Sequence, residues 1–144
     1  MRHPAWIGRA GRGLRAAKPA PRRAPASFTI FATRARDAVI EVNWTEQEYL
    51  DYLESERHMY AWCLVAYAGL LPSDAREAAR SFYPYEPAGK HLRGLVFHDD
   101  AWHWAMLRIV GESYWVKRPD LLEWSAEYRA ESDAYDARSA ARER

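Results

Sequence analysis

The charges of this chain divide sharply at residue 36. Residues 1–36 contain nine Lys or Arg residues and no Asp or Glu, whereas residues 37–144 contain 12 basic and 20 acidic residues. The formal net charge of +1 therefore combines a leader of +9 with a body of −8. Because one folded surface does not carry such a split by chance, we expect two physically different segments in one polypeptide.

The leader, residues 1–36, has a composition that opposes folding. Ala, Arg, Pro and Gly dominate residues 1–26, where Gly8, Gly11 and Gly13 fall close together and several prolines follow. Glycine and proline both disfavour helix, and the apolar content is too low to offset the entropy lost on ordering. The sequence therefore predicts a disordered Arg/Ala/Pro-rich basic leader.

Four roles are open for the leader. Its cations could bind nucleic acid or another anionic surface, which is the one route to nucleic acid that we expect in this chain. An Arg-rich, acid-poor segment also suits a transit peptide, although hydroxyl residues are scarce, and Arg22-Arg23 before a short apolar run suits an export signal. The favoured alternative is translated upstream sequence, with a native start near Val39 or Val42. Whether residues 1–36 belong to the native protein stays open.

The body has the size and composition of one domain. Its 108 residues contain 17 of the 20 aromatic side chains, enough to build a small core. A single cysteine, Cys63, excludes an intramolecular disulfide, and its uncharged surroundings indicate a buried, inert thiol in a reducing, cytoplasmic compartment. The uncharged run from Met59 to Pro72 is too short to cross a membrane, so we expect a soluble protein without a membrane partner.

Apolar spacing and helix-end signals predict four helices in the body. A capping box at Thr45–Glu48 begins the first, which should end at Gly69. The second is predicted over 74–82, the third from Asp99 or Asp100 to about residue 110 or 115, and the fourth over 120–137.

This pattern predicts an all-α fold, a compact bundle of about four helices over residues 37–137. A minor strand pair could add to the bundle at 28–42 or 90–97, where short apolar runs have strand-like composition. Residues 138–144 are polar enough that we expect a frayed C-terminal tail.

Two helices could each present a carboxylate and an imidazole one turn apart. Glu54 and His58 are spaced i,i+4 on the first helix, and Asp99 or Asp100 precedes His103 on the third. Such pairs converge on a divalent metal in some helical bundles, and this ligand set would suit Zn, Fe or Mn. The favoured alternative is that these side chains cap helices and form ion pairs.

Aromatic residues supply the other candidate site. Trp102 and Trp104 cannot share one helical face, so one of them could meet a partner. Together with nearby aromatics they form a candidate partner-binding surface consisting of Tyr83, Tyr85, Trp102, Trp104 and Trp115. The favoured alternative is that these side chains pack in the core of a small domain.

The function favoured by the sequence is a non-enzymatic protein-binding or accessory module with an unknown protein partner. No complete catalytic set and no cofactor motif is present in the sequence. One alternative is a metal-dependent hydrolase built on the His and carboxylate ligands from two helices. A further alternative is a nucleic-acid accessory protein that acts through the basic leader. The oligomeric state is not predicted.

Overall fold

The structure, a computed structural model, describes the backbone of residues 28–30, 40–142 and 144 and the side chains of residues 43–142 and 144. Within those residues, the predicted helical class is confirmed: α1 spans Glu46–Ala68, α2 Pro72–Phe82, α3 Ala101–Ile109, α4 Tyr114–Lys117 and α5 Ala126–Arg142. None of these helices is long and apolar enough to cross a membrane. Most of the leader lies outside the described residues, so its disorder and its role remain predictions.

A two-stranded antiparallel ladder precedes the helices. Strand β1 (Phe28–Ile30) pairs with β2 (Ile40–Val42), and Thr29 lies opposite Glu41. The other stretch considered for strands, 90–97, forms turns followed by a 3-10 helix over Leu95–His98. Leu92 and Gly94 there have φ angles of 56° and 77°, which belong to the left-handed region and interrupt an extended strand.

Both predicted ends of α1 are confirmed. The Thr45 hydroxyl accepts a hydrogen bond from the Glu48 backbone amide at 3.2 Å, and the Glu48 carboxylate accepts one from the Thr45 amide at 3.0 Å. At the other end Gly69 adopts the left-handed conformation, with φ 67°, and its amide closes the last turn onto Val65 O. These local contacts fix a helix of 23 residues, which is the longest element described.

The third predicted helix ends near residue 110, the earlier of its two predicted ends, because the chain turns at Gly111. Asp100 caps α3, accepting a hydrogen bond from the His103 backbone amide at 2.8 Å, as the sequence predicted. The helix ends at Ile109, and Gly111 then adopts a φ of 102° that a helix cannot contain. The short helix α4 follows as a separate element.

The predicted start of the fourth helix at residue 120 is wrong. The Leu121 carbonyl, which a helix from that point would use internally, accepts a hydrogen bond from the Trp102 indole at 2.9 Å. Residues Pro119–Leu121 instead form a 3-10 turn, and Ser125 caps α5 by accepting from the Tyr128 amide at 3.1 Å.

Helix α5 also extends further than the sequence analysis suggests. It continues to Arg142, through most of the stretch 138–144 that was expected to fray. The added turn consists largely of alanine and arginine, which are among the best helix formers.

The core is largely aromatic. Helix α1 packs against α2, α3 and α5, so it forms the centre of the bundle. Trp102 is completely buried, and Tyr67 and Tyr128 meet its rings edge to face at centroid distances of 5.4 and 5.1 Å. The largest side chains with less than 2% exposure also include Tyr49, Tyr60, Tyr83 and Tyr114. The aromatic residues of the body therefore supply much of the packing.

Candidate functional site

The residues predicted as metal ligands on α1 have other partners. The Glu54 carboxylate accepts a hydrogen bond from Arg57 at 2.6 Å. His58 turns towards α5, where its Nε2 atom lies 2.6 Å from Glu131 Oε1 and its ring stacks on Tyr135 with centroids 4.6 Å apart. His58 therefore joins α1 to α5, whereas Glu54 pairs with an arginine of its own helix.

The predicted ligands on α3 form a separate polar cluster. His103 is buried, with its Nδ1 atom 3.0 Å from the Tyr114 hydroxyl and its Nε2 atom 3.5 Å from Asp99 Oδ2. Asp100 caps the helix and also accepts a hydrogen bond from the Trp124 indole at 3.2 Å. These contacts tie α3 to α4 and to the segment before α5.

No group of three or more His, Cys, Asp and Glu side chains that could hold a metal ion occurs among the described residues. The five predicted ligands are therefore not gathered into one centre. Their observed roles, helix capping and ion pairing, are those that the sequence analysis favoured. Metal binding and the hydrolase built on it remain predictions that this geometry does not support.

The candidate aromatic surface is also divided by the fold. Tyr83 and Trp102 are both completely buried, and Trp104 and Trp115 are partly buried. Tyr85 is the member with substantial exposure, at 50%. Since two of the five side chains lie in the core and two more are half covered, this set does not form a continuous exposed aromatic patch.

A cleft lined by positively charged side chains is a different candidate site. A cleft of about 290 Å³ lies among α1, α2 and α5, and five arginines line it: Arg57, Arg76, Arg80, Arg138 and Arg142. We refer to it as the arginine cleft. Its lining also includes His58, Tyr135 and a single carboxylate, Glu54.

The arginine cleft concentrates charge of one sign in an acidic domain. It takes five of the 12 basic residues of the body, although that body carries a formal charge of −8. Ala61 and Ala79, which are both buried, belong to the lining and give it small side chains where α1 and α2 meet. Small residues there leave space between the helices, so the cleft is open to a small ligand.

Two of the five arginines have structural partners. Arg57 donates hydrogen bonds from Nε and Nη2 to the Tyr83 carbonyl, at 2.9 and 2.7 Å, and so joins α1 to the residue that ends α2. Arg138 donates to Glu131 Oε1 at 2.7 Å. Both guanidinium groups still contribute positive charge to the walls of the cleft.

The other three arginines, Arg76, Arg80 and Arg142, form no ion pair with any residue whose side chain the structure describes. Arg76 and Arg80 are spaced i,i+4 on α2, as Arg138 and Arg142 are on α5, so each pair shares a helical face. Like charges at this spacing destabilise a helix by about 0.2–0.5 kcal/mol per pair. Arg80 and Arg142 also lie in the last turns of their helices, where a cation interacts favourably with the helix dipole by about 0.3–1 kcal/mol. The two effects are of similar size, so the spacing alone has little net effect on folding.

Glu131 stands at the edge of the arginine cleft as an internal counterion. One of its oxygens, Oε1, is shared by His58 of α1 and Arg138 of α5. Burial acts to raise the pKa of Glu131, but hydrogen bonds from His58 and Arg138 outweigh burial, so that pKa lies below its ordinary value of 4.5. The Glu131 carboxylate is thus held in its charged form beside the Arg138 guanidinium and the His58 ring.

The sequence does not predict the arginine cleft, because the net negative charge of the body predicts repulsion of anions. A local signal does exist, because Arg76 and Arg80, and also Arg138 and Arg142, are like-charged pairs at i,i+4, although Glu77 lies one turn before Arg80. That signal marks two cationic helix faces. It does not indicate that they meet across one cleft.

Comparisons with known proteins supply no relative, since no protein-family model, no curated protein and no solved structure matches this chain. Function must therefore follow from the residues of the arginine cleft themselves.

Proposed function

We propose that this domain is a binding module that recognises an anionic group in the arginine cleft. The observation that carries the proposal is the convergence of five arginines from three helices on one small cleft. Arginine presents a planar fork of N–H donors that matches the oxygen atoms of carboxylates and phosphates. A cleft with several such forks suits an anion that enters from solvent.

The ion pairs of the described residues do not account for the position of three of these arginines. The body contains 20 acidic residues, yet Arg76, Arg80 and Arg142 have no ion-pair partner among the described side chains. Their spacing also places like charges beside each other on two helices. A bound anion would convert this repulsion into attraction.

The proposal keeps one part of the sequence interpretation and changes another. It retains a non-enzymatic binding module, while it moves the recognition surface from the aromatic set around Trp102 to the arginine cleft. It also differs from nucleic-acid binding through the leader, because the cations involved belong to α1, α2 and α5.

Calorimetric titration of the full chain with citrate, sulfate and phosphate tests the proposal. The key variant is the double substitution Arg80→Gln and Arg142→Gln, which removes one arginine each from α2 and α5, neither of them ion-paired to a described side chain. The matched control is Arg108→Gln with Arg129→Gln, because both residues are exposed arginines outside the cleft lining. Since the leader is unchanged in every protein, its own anion binding cancels in the comparison.

We expect the cleft variant to bind its best anion at least about tenfold more weakly than the wild type, since charge-assisted hydrogen bonds contribute about 1.5–3 kcal/mol each. The control variant should change the affinity by no more than about twofold, as expected for exposed charges far from a site. Equal affinities in the cleft variant and the wild type, for all three anions, would contradict the proposal.

A further inference from the structure

We propose that the anion recognised by the arginine cleft is a phosphate monoester, and that it exchanges with the Glu131 carboxylate as the partner of Arg138 and His58. This inference rests on the proposed function, because it names the chemical class of the ligand and a residue that competes with it. The starting observation is that one Glu131 oxygen already accepts hydrogen bonds from both groups, at 2.7 and 2.6 Å.

An entering anion must compete with the Glu131 carboxylate for Arg138 and His58. Its carboxylate is tethered to α5, so it competes with a free ligand at a high effective concentration. A ligand carboxylate that displaced it would replace one negative charge by another and would gain no net charge. A ligand with a second negative charge gains additional attraction from the arginines that Glu131 leaves unpaired.

Arg76, Arg80 and Arg142, which have no ion-pair partner among the described side chains, fit a tetrahedral anion better than a planar one. Arg76 and Arg80 approach the cleft from α2, whereas Arg142 approaches from α5. A carboxylate has two oxygens in one plane and is matched by a single bidentate arginine. A phosphate monoester has three terminal oxygens that point in different directions, so it can accept from guanidinium groups on separate helices.

Charge and size agree with this class. A phosphate monoester carries about −1.5 to −2 charges at pH 7, which exceeds the single charge of a carboxylate or of a sulfate monoester. A volume of about 290 Å³ lies just below the usual range for ligand pockets, roughly 300–1,000 Å³. The cleft therefore accommodates a phosphoryl group and the atoms next to it, while the rest of a larger molecule would extend into solvent.

Calorimetry with three phenyl compounds tests the ligand class on the full chain. Phenyl phosphate, phenyl sulfate and benzoate share one apolar group and differ in the charge and shape of the anion. We expect phenyl phosphate to bind at least about tenfold more tightly than the other two. Equal affinities for phenyl phosphate and phenyl sulfate would overturn the phosphate assignment, while cleft-dependent binding of both would leave the proposed function standing.

Two compounds that carry a phosphate monoester then distinguish a protein ligand from a metabolite ligand. A short phosphoserine peptide and a sugar phosphate present the monoester on a protein and on a metabolite, respectively. Binding of either above the level of phenyl sulfate supports the proposal, and the tighter of the two identifies the source. Failure of both to exceed phenyl sulfate would overturn it.

The variant Glu131→Gln tests the exchange. It removes the competing charge, so we expect phenyl phosphate to bind roughly tenfold more tightly than to the wild type. The matched control, Glu127→Gln, makes the same change of charge on an exposed part of α5. Weaker binding to Glu131→Gln, or a gain no larger than in the control, would overturn the competing role. The phenyl series is compared between the wild type and the Arg80→Gln, Arg142→Gln variant, because the cationic leader can also favour a dianion. That comparison decides the ligand class even if Glu131→Gln unfolds.

Discussion

Replacing Trp102 with phenylalanine would test whether the tryptophans of this chain build its core or present a surface to a partner. Trp102 is completely buried, and its indole donates a hydrogen bond to the Leu121 carbonyl at 2.9 Å. Its rings also meet Tyr67 and Tyr128 edge to face. Phenylalanine would retain an aromatic ring at this position but would lose the donor and part of the volume.

The loss of these contacts lowers the free energy of unfolding in two ways. Leaving the buried Leu121 carbonyl without its donor should cost about 1–3 kcal/mol. The smaller ring should leave a void that costs about 1 kcal/mol more. Trp102→Phe should therefore lower the free energy of unfolding by roughly 2–4 kcal/mol, a large fraction of the 5–15 kcal/mol typical of a domain.

Urea unfolding followed by circular dichroism measures this loss without relying on tryptophan fluorescence. The midpoint should fall while the slope of free energy against urea stays constant. Tyr85→Phe is the control, because Tyr85 is half exposed and the change removes only an exposed hydrogen bond to Glu46, which should contribute no more than about 0.5–1.5 kcal/mol. If Trp102→Phe cost no more than Tyr85→Phe, the assignment of Trp102 to the core would be wrong.

Three further predictions address other parts of the structure. Arg57→Gln removes the hydrogen bonds to the Tyr83 carbonyl and should lower the free energy of unfolding by about 1–3 kcal/mol, as measured by urea unfolding. An unchanged midpoint would show that these hydrogen bonds do not stabilise the packing of α1 against α2. The lowered pKa of Glu131 contributes stability above its ordinary value of 4.5 that is lost as the pH falls through the folded value. The wild type should therefore lose more stability than Glu131→Gln between about pH 6 and about pH 3, and an equal loss would refute this linkage. Burial raises the pKa of the Cys63 thiol, so iodoacetamide should not modify it in the native protein and should alkylate it in urea. Mass spectrometry measures the alkylation, and rapid labelling of the native protein would contradict the burial of Cys63.

The parts of the fold that the sequence predicted correctly are those fixed by local contacts. The capping box at Thr45 and Glu48 and the glycine at position 69 involve residues within a few positions of each other, so their chemistry is visible in the sequence. The start of α5 depends instead on the hydrogen bond from Trp102 to Leu121, which joins residues 19 positions apart. Helical spacing alone cannot show that this hydrogen bond competes with a helix that would begin at residue 120.

The candidate site was not predictable for the same reason. Its arginines lie on α1, α2 and α5, and no pattern within one helix indicates that the three cationic faces meet. The average charge of the body was misleading as well, because a net charge of −8 conceals a local cluster of positive charge. Conversely, the spacing of the His and carboxylate pairs around His58 and His103 is typical of metal ligands. In the structure, however, His58 contacts Glu131 and His103 contacts Asp99, so the two pairs do not share one site.

The central claim is that an anion binds in the arginine cleft, and nuclear magnetic resonance of arginine Nε–Hε groups tests it most directly. Phenyl phosphate would be titrated into the full ¹⁵N-labelled chain, whose leader supplies a built-in comparison. We predict saturable shifts of Arg76, Arg80 and Arg142, with small changes at Arg108 and in residues 1–36. Shifts confined to the leader, or spread evenly over all arginines, would contradict the account.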